Sequence, residues 1–175
     1  VIIGHSFGGL LTQKLVGMGL SVAAAPIDPA PHKGVLPLPF SALRGSSAVL
    51  RNPLNYWRTV TLSFEQFRYG FANVVPDDEA RALYDEYHVA CPGPPLFQVA
   101  IANFRPGGET AVDLRQRDRG PMLFISGEED HLVTWSMANA AHKRWRKHSD
   151  QPTEIVELPD RGHSLILDHG WTEVA

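Results

Sequence analysis

The chain begins with a short apolar β-branched run, Val1-Ile2-Ile3, which ends in Gly4-His5-Ser6-Phe7-Gly8 and passes directly into an amphipathic helical pattern. A continuous apolar run of this kind is the mark of a strand buried on both faces of a parallel sheet. Strand, one-residue turn and helix leave room for few folds. The spacing predicts a helix with Leu11, Leu15 and Met18 on its apolar face and Gly19 as its stop signal. The turn itself matches G-x-S-x-G, in which a serine sits on a strained strand-to-helix corner. The steric reading asks for glycine on both flanks, at Gly4 and Gly8, because a Cβ would crowd the corner. With Gly and Ser at about 7% each, chance puts the pattern in roughly one chain of this length in twenty. The strand before it and the helix after it therefore carry the inference.

The rest of the chain repeats the strand-helix beat twice and interrupts it once. A second buried strand is expected over Leu20 to Ala25, stopped by Pro26, Pro29 and Pro31. A third, Met122 to Ile125, runs into Gly127-Glu128-Glu129-Asp130. A helix is expected next, from about Thr134 to His148, with Ala138, Ala141 and Trp145 on one face. A fourth strand, Thr153 to Leu158, precedes Asp160-Arg161-Gly162-His163-Ser164. Alternating strands and helices predict a mostly parallel sheet with right-handed crossovers. Between the second and third strands, Phe40 to Gly120 reads as short helices parted by Pro and Gly. Ser63-Phe64-Glu65-Gln66 forms a capping-box pattern with Phe64, Phe67 and Phe71 on one face, and Asp77-Asp78-Glu79 gives the following helix an acidic first turn. The expected organisation is a core of residues 1–39 and 121–175 with an inserted helical segment over 40–120. That insert either packs a small core of its own or walls a site.

Composition excludes several classes. The net charge of −3 and a pI of about 6.2 provide no basic field for nucleic acid. The basic run His142 to His148 closes a helix whose C-terminal dipole favours cations. One cysteine, Cys91, makes no disulfide framework or thiolate cage and is compatible with a cytoplasmic location. No run is long and apolar enough to span a membrane. His32, His88 and His169 lack ligand spacing, so no metal site is expected, and Gly107-Gly108 has no dinucleotide or P-loop context, so no cofactor is expected. The start at a buried-looking strand without Met, and the end at Trp171 to Ala175 where a helix begins, read as a fragment.

A serine hydroxyl needs a base, and the base needs an orienting acid. His163, after the last strand and next to Gly162, is the candidate base. Asp130 is the preferred acid at the carboxyl edge of the sheet, where such sheets gather their reactive groups. Glu128 and Glu129 are its near rivals and Asp28 its distant one. The chain order Ser6, Asp130, His163 is one of the three known orders for this constellation.

With these residues in place, the chain resembles the α/β-hydrolase superfamily of esterases and lipases, and more narrowly its bacterial members with a helical cap. Gly4-His5-Ser6-Phe7-Gly8-Gly9, Gly127-x-x-Asp130-x-x-Val133 and Pro159-Asp160-Arg161-Gly162-His163-Ser164 carry the likeness. The resemblance implies the last four strands of that fold, with the first half missing and the Val1 to Ile3 edge exposed. It implies Ser6 as nucleophile, His163 as general base, Asp130 as acid, and the Phe7 backbone N–H as one oxyanion donor, the second donor lying in an earlier loop. The implied function is cofactor-free hydrolysis of small carboxylic esters with an apolar moiety. A perhydrolase or haloperoxidase using the same triad and a catalytically silent binding protein are the alternatives, separable by peracid formation and by labelling of Ser6. Relatives with aspartate at the Ser6 position, the haloalkane dehalogenases and epoxide hydrolases, are disfavoured.

Overall fold

A computed structural model describes residues 1–174. Its centre is a four-stranded sheet formed by β1 (Ile2–His5), β2 (Ala24–Ile27), β5 (Met122–Gly127) and β6 (Thr153–Leu158), in that spatial order and all parallel. The helix α1 (Phe7–Gly17) crosses from β1 to β2, and α6 (Trp135–Lys147) crosses from β5 to β6. Both helices pack one core: Val16 of α1 and Met137, Ala141 and Trp145 of α6 meet Ala24, Met122 and Phe124 of the sheet. Two crossovers of the same hand moving the same way along a sheet put both helices on one face. The indole N–H of Trp145, fully buried, donates to Gln13 Oε1 at 2.9 Å, so the polar atom of each side chain is matched inside that core.

Two expectations need correction. The apolar face of α1 is not the one toward the core: Leu11 and Met18 are exposed, whereas Leu10, Gln13 and Val16 are buried. Val1, Ile3, Leu20 and Val22 are exposed as well. The second strand also starts later and ends later than its apolar run. It includes Pro26, which a central strand ordinarily rejects. Ala24 N donates to Pro121 O and Asp28 N to Ile125 O, on either side of Pro26, which has no N–H for the rung between. The strand therefore tolerates the proline at the expense of one ladder bond.

Between β2 and β5 lie α2 (Phe40–Leu50), two two-residue strands, β3 (Thr59–Val60) and β4 (Cys91–Pro92), that pair antiparallel, the helices α3 (Phe64–Gly70) and α4 (Asp77–Tyr87) in the chain between those strands, and α5 (Gly93–Ala100) after them. The capping box at Ser63 and Gln66 is formed in both directions, with Ser63 N donating to Gln66 Oε1 and Gln66 N to Ser63 Oγ. Phe67, Ala72, Val75, Ala80 and Leu83 make a separate core with Phe64 and Phe71 at its margin. Of the two roles expected for these helices, a core of their own is therefore present. The segment docks on the sheet edge: the Asn73 amide donates to Glu129 O, and His131 Nδ1 hydrogen bonds to Tyr69 O while its ring stacks on Tyr69.

Candidate active site

The corner after β1 is built by sterics. Ser6 has φ +55° and ψ −119°, a conformation that costs an L-residue on the order of 1–3 kcal/mol and persists only when the surroundings enforce it. They do so through the two flanking elements. A Cβ on Gly4 would stand 2.3 Å from Gly8 O and 2.5 Å from Thr12 Oγ1, and one on Gly9 would stand 2.8 Å from Pro29 Cα. Gly8, by contrast, would meet nothing within 4 Å. The expectation that Gly4 and Gly8 are the required pair is thus half wrong: close approach demands glycine at 4 and 9. The second glycine of the motif faces open space. Ser6 O accepts from both Leu10 N and Ala30 N, which ties the corner to the helix and to the loop after β2.

His163 arrives from the loop after β6 and is fully buried at the carboxyl edge of the sheet. Its Nε2 lies 3.0 Å from Ser6 Oγ and its Nδ1 2.6 Å from Asp130 Oδ2. Asp130 sits in the loop after β5, with Oδ1 accepting from Leu132 N at 2.7 Å and Val133 N at 2.9 Å. The structure therefore brings Ser6, His163 and Asp130 into one hydrogen-bonded line. It does not bring in the near rivals: Glu128 and Glu129 are exposed, and Glu128 spends its carboxylate on Asp160 N. Gly127 keeps the acid loop and the histidine loop together, because a Cβ there would stand 2.5 Å from Arg161 O. The histidine loop is braced in turn by the Arg161 guanidinium, which donates to Gly170 O and Leu165 O and pairs with Asp168 and Glu173.

Three neighbours of His163 were not legible as such. Phe71, at the end of α3, presents its ring edge-on to the imidazole with centroids 5.2 Å apart. His5 lies with its ring 4.5 Å from that of His163, and burial together with His163 pushes it down to about 3, so it is neutral at any pH of interest. Asp28, the distant rival for the orienting acid, is fully buried beside Asp130 and makes no hydrogen bond to His163. One ligand-type atom each from His5, Asp28 and His163 lies within 4.8 Å of the others, a grouping that could attract a cation. Both nitrogens of His163 are already engaged by Ser6 and Asp130, so the geometry serves the serine line first. Phe7 opens α1, and the first N–H groups of a helix have no intrahelical acceptor. They point their positive end at the Ser6 corner. A concavity of about 760 Å³ between Tyr56, Trp57, Thr59 and Pro94 shares no lining residue with this line. Among the described residues no helix is long and apolar enough to cross a membrane.

Comparison with known proteins bears on the same arrangement. An alpha/beta hydrolase family model matches residues 1–175. Among solved structures, the chain is similar to an extracellular alpha/beta-hydrolase from a Paenibacillus species (18% identity, TM-score 0.62), covering 98% of this chain and 67% of that one. It is similar to a monoacylglycerol lipase of Paleococcus ferrophilus (17% identity, TM-score 0.56; 98% and 63%). A third likeness is to a protein provisionally named non-heme bromoperoxidase BpoC of Mycobacterium tuberculosis (16% identity, TM-score 0.59; 98% and 63%). The chain thus spans about two thirds of the length of these structures. A search by sequence finds no curated relative. Parallel sheet, glycine-flanked serine corner and a match along the whole chain agree: the chain belongs to the alpha/beta hydrolase family.

Proposed function

We propose that the protein is a serine hydrolase of carboxylic esters, with Ser6 as nucleophile, His163 as general base and Asp130 as the orienting acid. The observation that carries this reading is the continuous line from Ser6 Oγ through His163 to Asp130 Oδ2, at 3.0 and 2.6 Å. Ser6 Oγ attacks the ester carbonyl while His163 Nε2 takes the hydroxyl proton. The tetrahedral oxyanion forms next to the N-terminus of α1, where the Phe7 N–H is one donor. Collapse expels the alcohol, which receives the proton from His163 and leaves an acyl-serine. Water, deprotonated by His163, then releases the carboxylic acid and restores Ser6. Asp130 accepts from Nδ1–H throughout, which fixes the tautomer and stabilises the transient imidazolium.

The helices between β2 and β5 act in this reading as a cap, and Phe71 supports a substrate with an apolar moiety because it sets an aromatic edge beside His163. The same acyl-serine intercepted by hydrogen peroxide would yield a peracid, and a non-heme bromoperoxidase name among the similar structures makes that arm worth running. The test is fluorophosphonate labelling of the intact protein and its Ser6→Ala variant with peptide mapping, followed by short-chain aryl esters in water and in peroxide. Label on Ser6, lost in the variant, and ester turnover support the reading. A folded protein that is unlabelled at Ser6 overturns it.

A further inference from the structure

Asp28 is a fully buried titratable group that the proposed reaction does not use. It follows β2 directly, at φ +36°, with no exposure to solvent. Its N donates to Ile125 O at 2.8 Å and its Oδ1 accepts from Gly127 N at 2.9 Å, so it is fastened at the carboxyl edge between β2 and β5. Its Oδ2 is buried and accepts no hydrogen bond. The groups that face the carboxyl are Asp130, the Ser126 hydroxyl, and the rings of His163 and His5. No lysine or arginine is among them, and His5 is neutral.

Two carboxyl groups in contact, with no cation between them, do not both ionise. The donor inventory decides which one holds the proton. Asp130 accepts three N–H bonds, from Leu132, Val133 and His163, whereas Asp28 accepts one. Three donors favour the carboxylate on Asp130. A carboxylate has about four acceptor positions, so one on Asp130 is left. We propose that Asp28 is a positioning residue: a neutral carboxylic acid that gives its O–H to the Asp130 carboxylate and so holds Oδ2 toward His163. This rests on the serine-hydrolase reading only for its kinetic consequence. Burial and the Asp130 charge, which together hold the Asp28 carboxyl well above the usual carboxylate range, agree with the assignment.

The arrangement gives the acid a fourth donor without setting a second negative charge under the imidazole. From its positive-φ backbone the Asp28 carboxyl reaches Gly127 N on the neighbouring strand.

The experiment uses the intact protein and two variants that accept positive φ, Asp28→Asn and Asp28→Gly. Infrared difference spectroscopy between the parent and Asp28→Asn at pH 7 is expected to show the C=O band of a protonated carboxylic acid, a readout that needs no activity. Asp28→Gly is expected to lower kcat about tenfold or more at nearly unchanged KM, through a loosened acid. Asp28→Asn, whose amide O takes the Gly127 N–H and whose NH₂ donates to Asp130, is expected to restore most of that loss with the acid limb of the pH profile in place. An absent acid band overturns the proposal, as does an acid limb displaced by about a unit or more in Asp28→Asn, the mark of a removed negative charge. Parent-like kinetics in Asp28→Gly also overturn it. Should Asp28→Gly fail to fold, the band and the Asp28→Asn profile decide. An unlabelled Ser6 with the band present sinks the esterase reading alone.

Discussion

The corner at Ser6 makes a differential prediction from three glycines that a motif treats alike. Replacing Gly4 by Ala puts a Cβ 2.3 Å from Gly8 O, 2.5 Å from Gly8 C and 2.5 Å from Thr12 Oγ1. Ordinary contact begins at about 3.4 Å, so roughly 1 Å of separation between β1 and α1 has to open, and two of the three atoms are backbone that no rotamer change can move. Overpacking of this kind costs about 1–3 kcal/mol, and the upper end applies where backbone must shift. For a domain of this size that is a fall in Tm of roughly 6–12 °C. The chemical effect is larger, because a displacement of about 1 Å at a reacting group can cost a hundredfold in rate. Gly8→Ala meets nothing within 4 Å and replaces glycine in a helix by the best helix former, a change of about 0.5–1 kcal/mol in favour of folding. Fluorophosphonate labelling rates and thermal melts of the intact protein with Gly4→Ala, Gly8→Ala and Gly9→Ala check this. The expected order has Gly4→Ala slowed about a hundredfold, Gly9→Ala impaired and Gly8→Ala at parent level. Gly4→Ala labelling within about threefold of the parent, or Gly8→Ala as damaging as Gly4→Ala, would refute the steric account of the corner.

Phe67 and Phe71 separate stability from positioning: Phe67→Ala, in the core of the helical segment, costs about 3–5 kcal/mol but leaves the labelling rate of folded protein unchanged, whereas half-buried Phe71→Ala costs less stability and slows labelling because His163 loses its aromatic neighbour. Comparison of denaturation midpoints with labelling rates decides it. Arg161→Met strands the buried Asp168 carboxylate and the carbonyls of Gly170 and Leu165, so about 3–5 kcal/mol of stability is lost, read by denaturant titration. Burial pushes His32 down to about 4 from an ordinary 6.5. The unfolded chain therefore binds a proton that the folded one refuses between these values, and stability falls as pH drops below about 6.5, by on the order of 3 kcal/mol at pH 4. His32→Asn, which keeps a donor for Lys33 O without titrating, is expected to flatten that part of the melting-temperature profile.

What the sequence disclosed and what it concealed divide along a physical line. Elements whose residues answer to their own neighbours were legible: β6 spans Thr153 to Leu158 as expected, the capping box at Ser63 forms, and Ala138, Ala141 and Trp145 share the buried face of α6. Ser6, Asp130 and His163 were also legible, because each sits on a loop after a strand and parallel strands deliver such loops to one edge. The errors arise where another element decides. Leu11 and Met18 satisfy helical periodicity yet lie outward, because the sheet face that α1 covers is set by the crossover hand and by Gln13 meeting Trp145 across 132 positions of sequence. Pro26 reads as a stop but stays in register, since β2 is held on one side by β1 and on the other by bonds from Ala24 and Asp28.

Asp28 is the sharpest case, because its meaning inverts between sequence and structure. Beside three prolines at a strand end, an aspartate reads either as a distant rival for the acid or as a solvated charge, and solvation would keep it ionised and silent. Register changes that reading entirely. Pairing β2 with β5 sets Asp28 beside Gly127 and therefore under Asp130, which only the fold as a whole can specify. Once there, a carboxyl with one N–H donor beside a neighbour with three is the one that the proposal leaves protonated. On the proposed assignment the acid of the site is a pair of carboxyl groups with one charge between them, and the loop after β2 joins the loops after β5 and β6 in the chemistry.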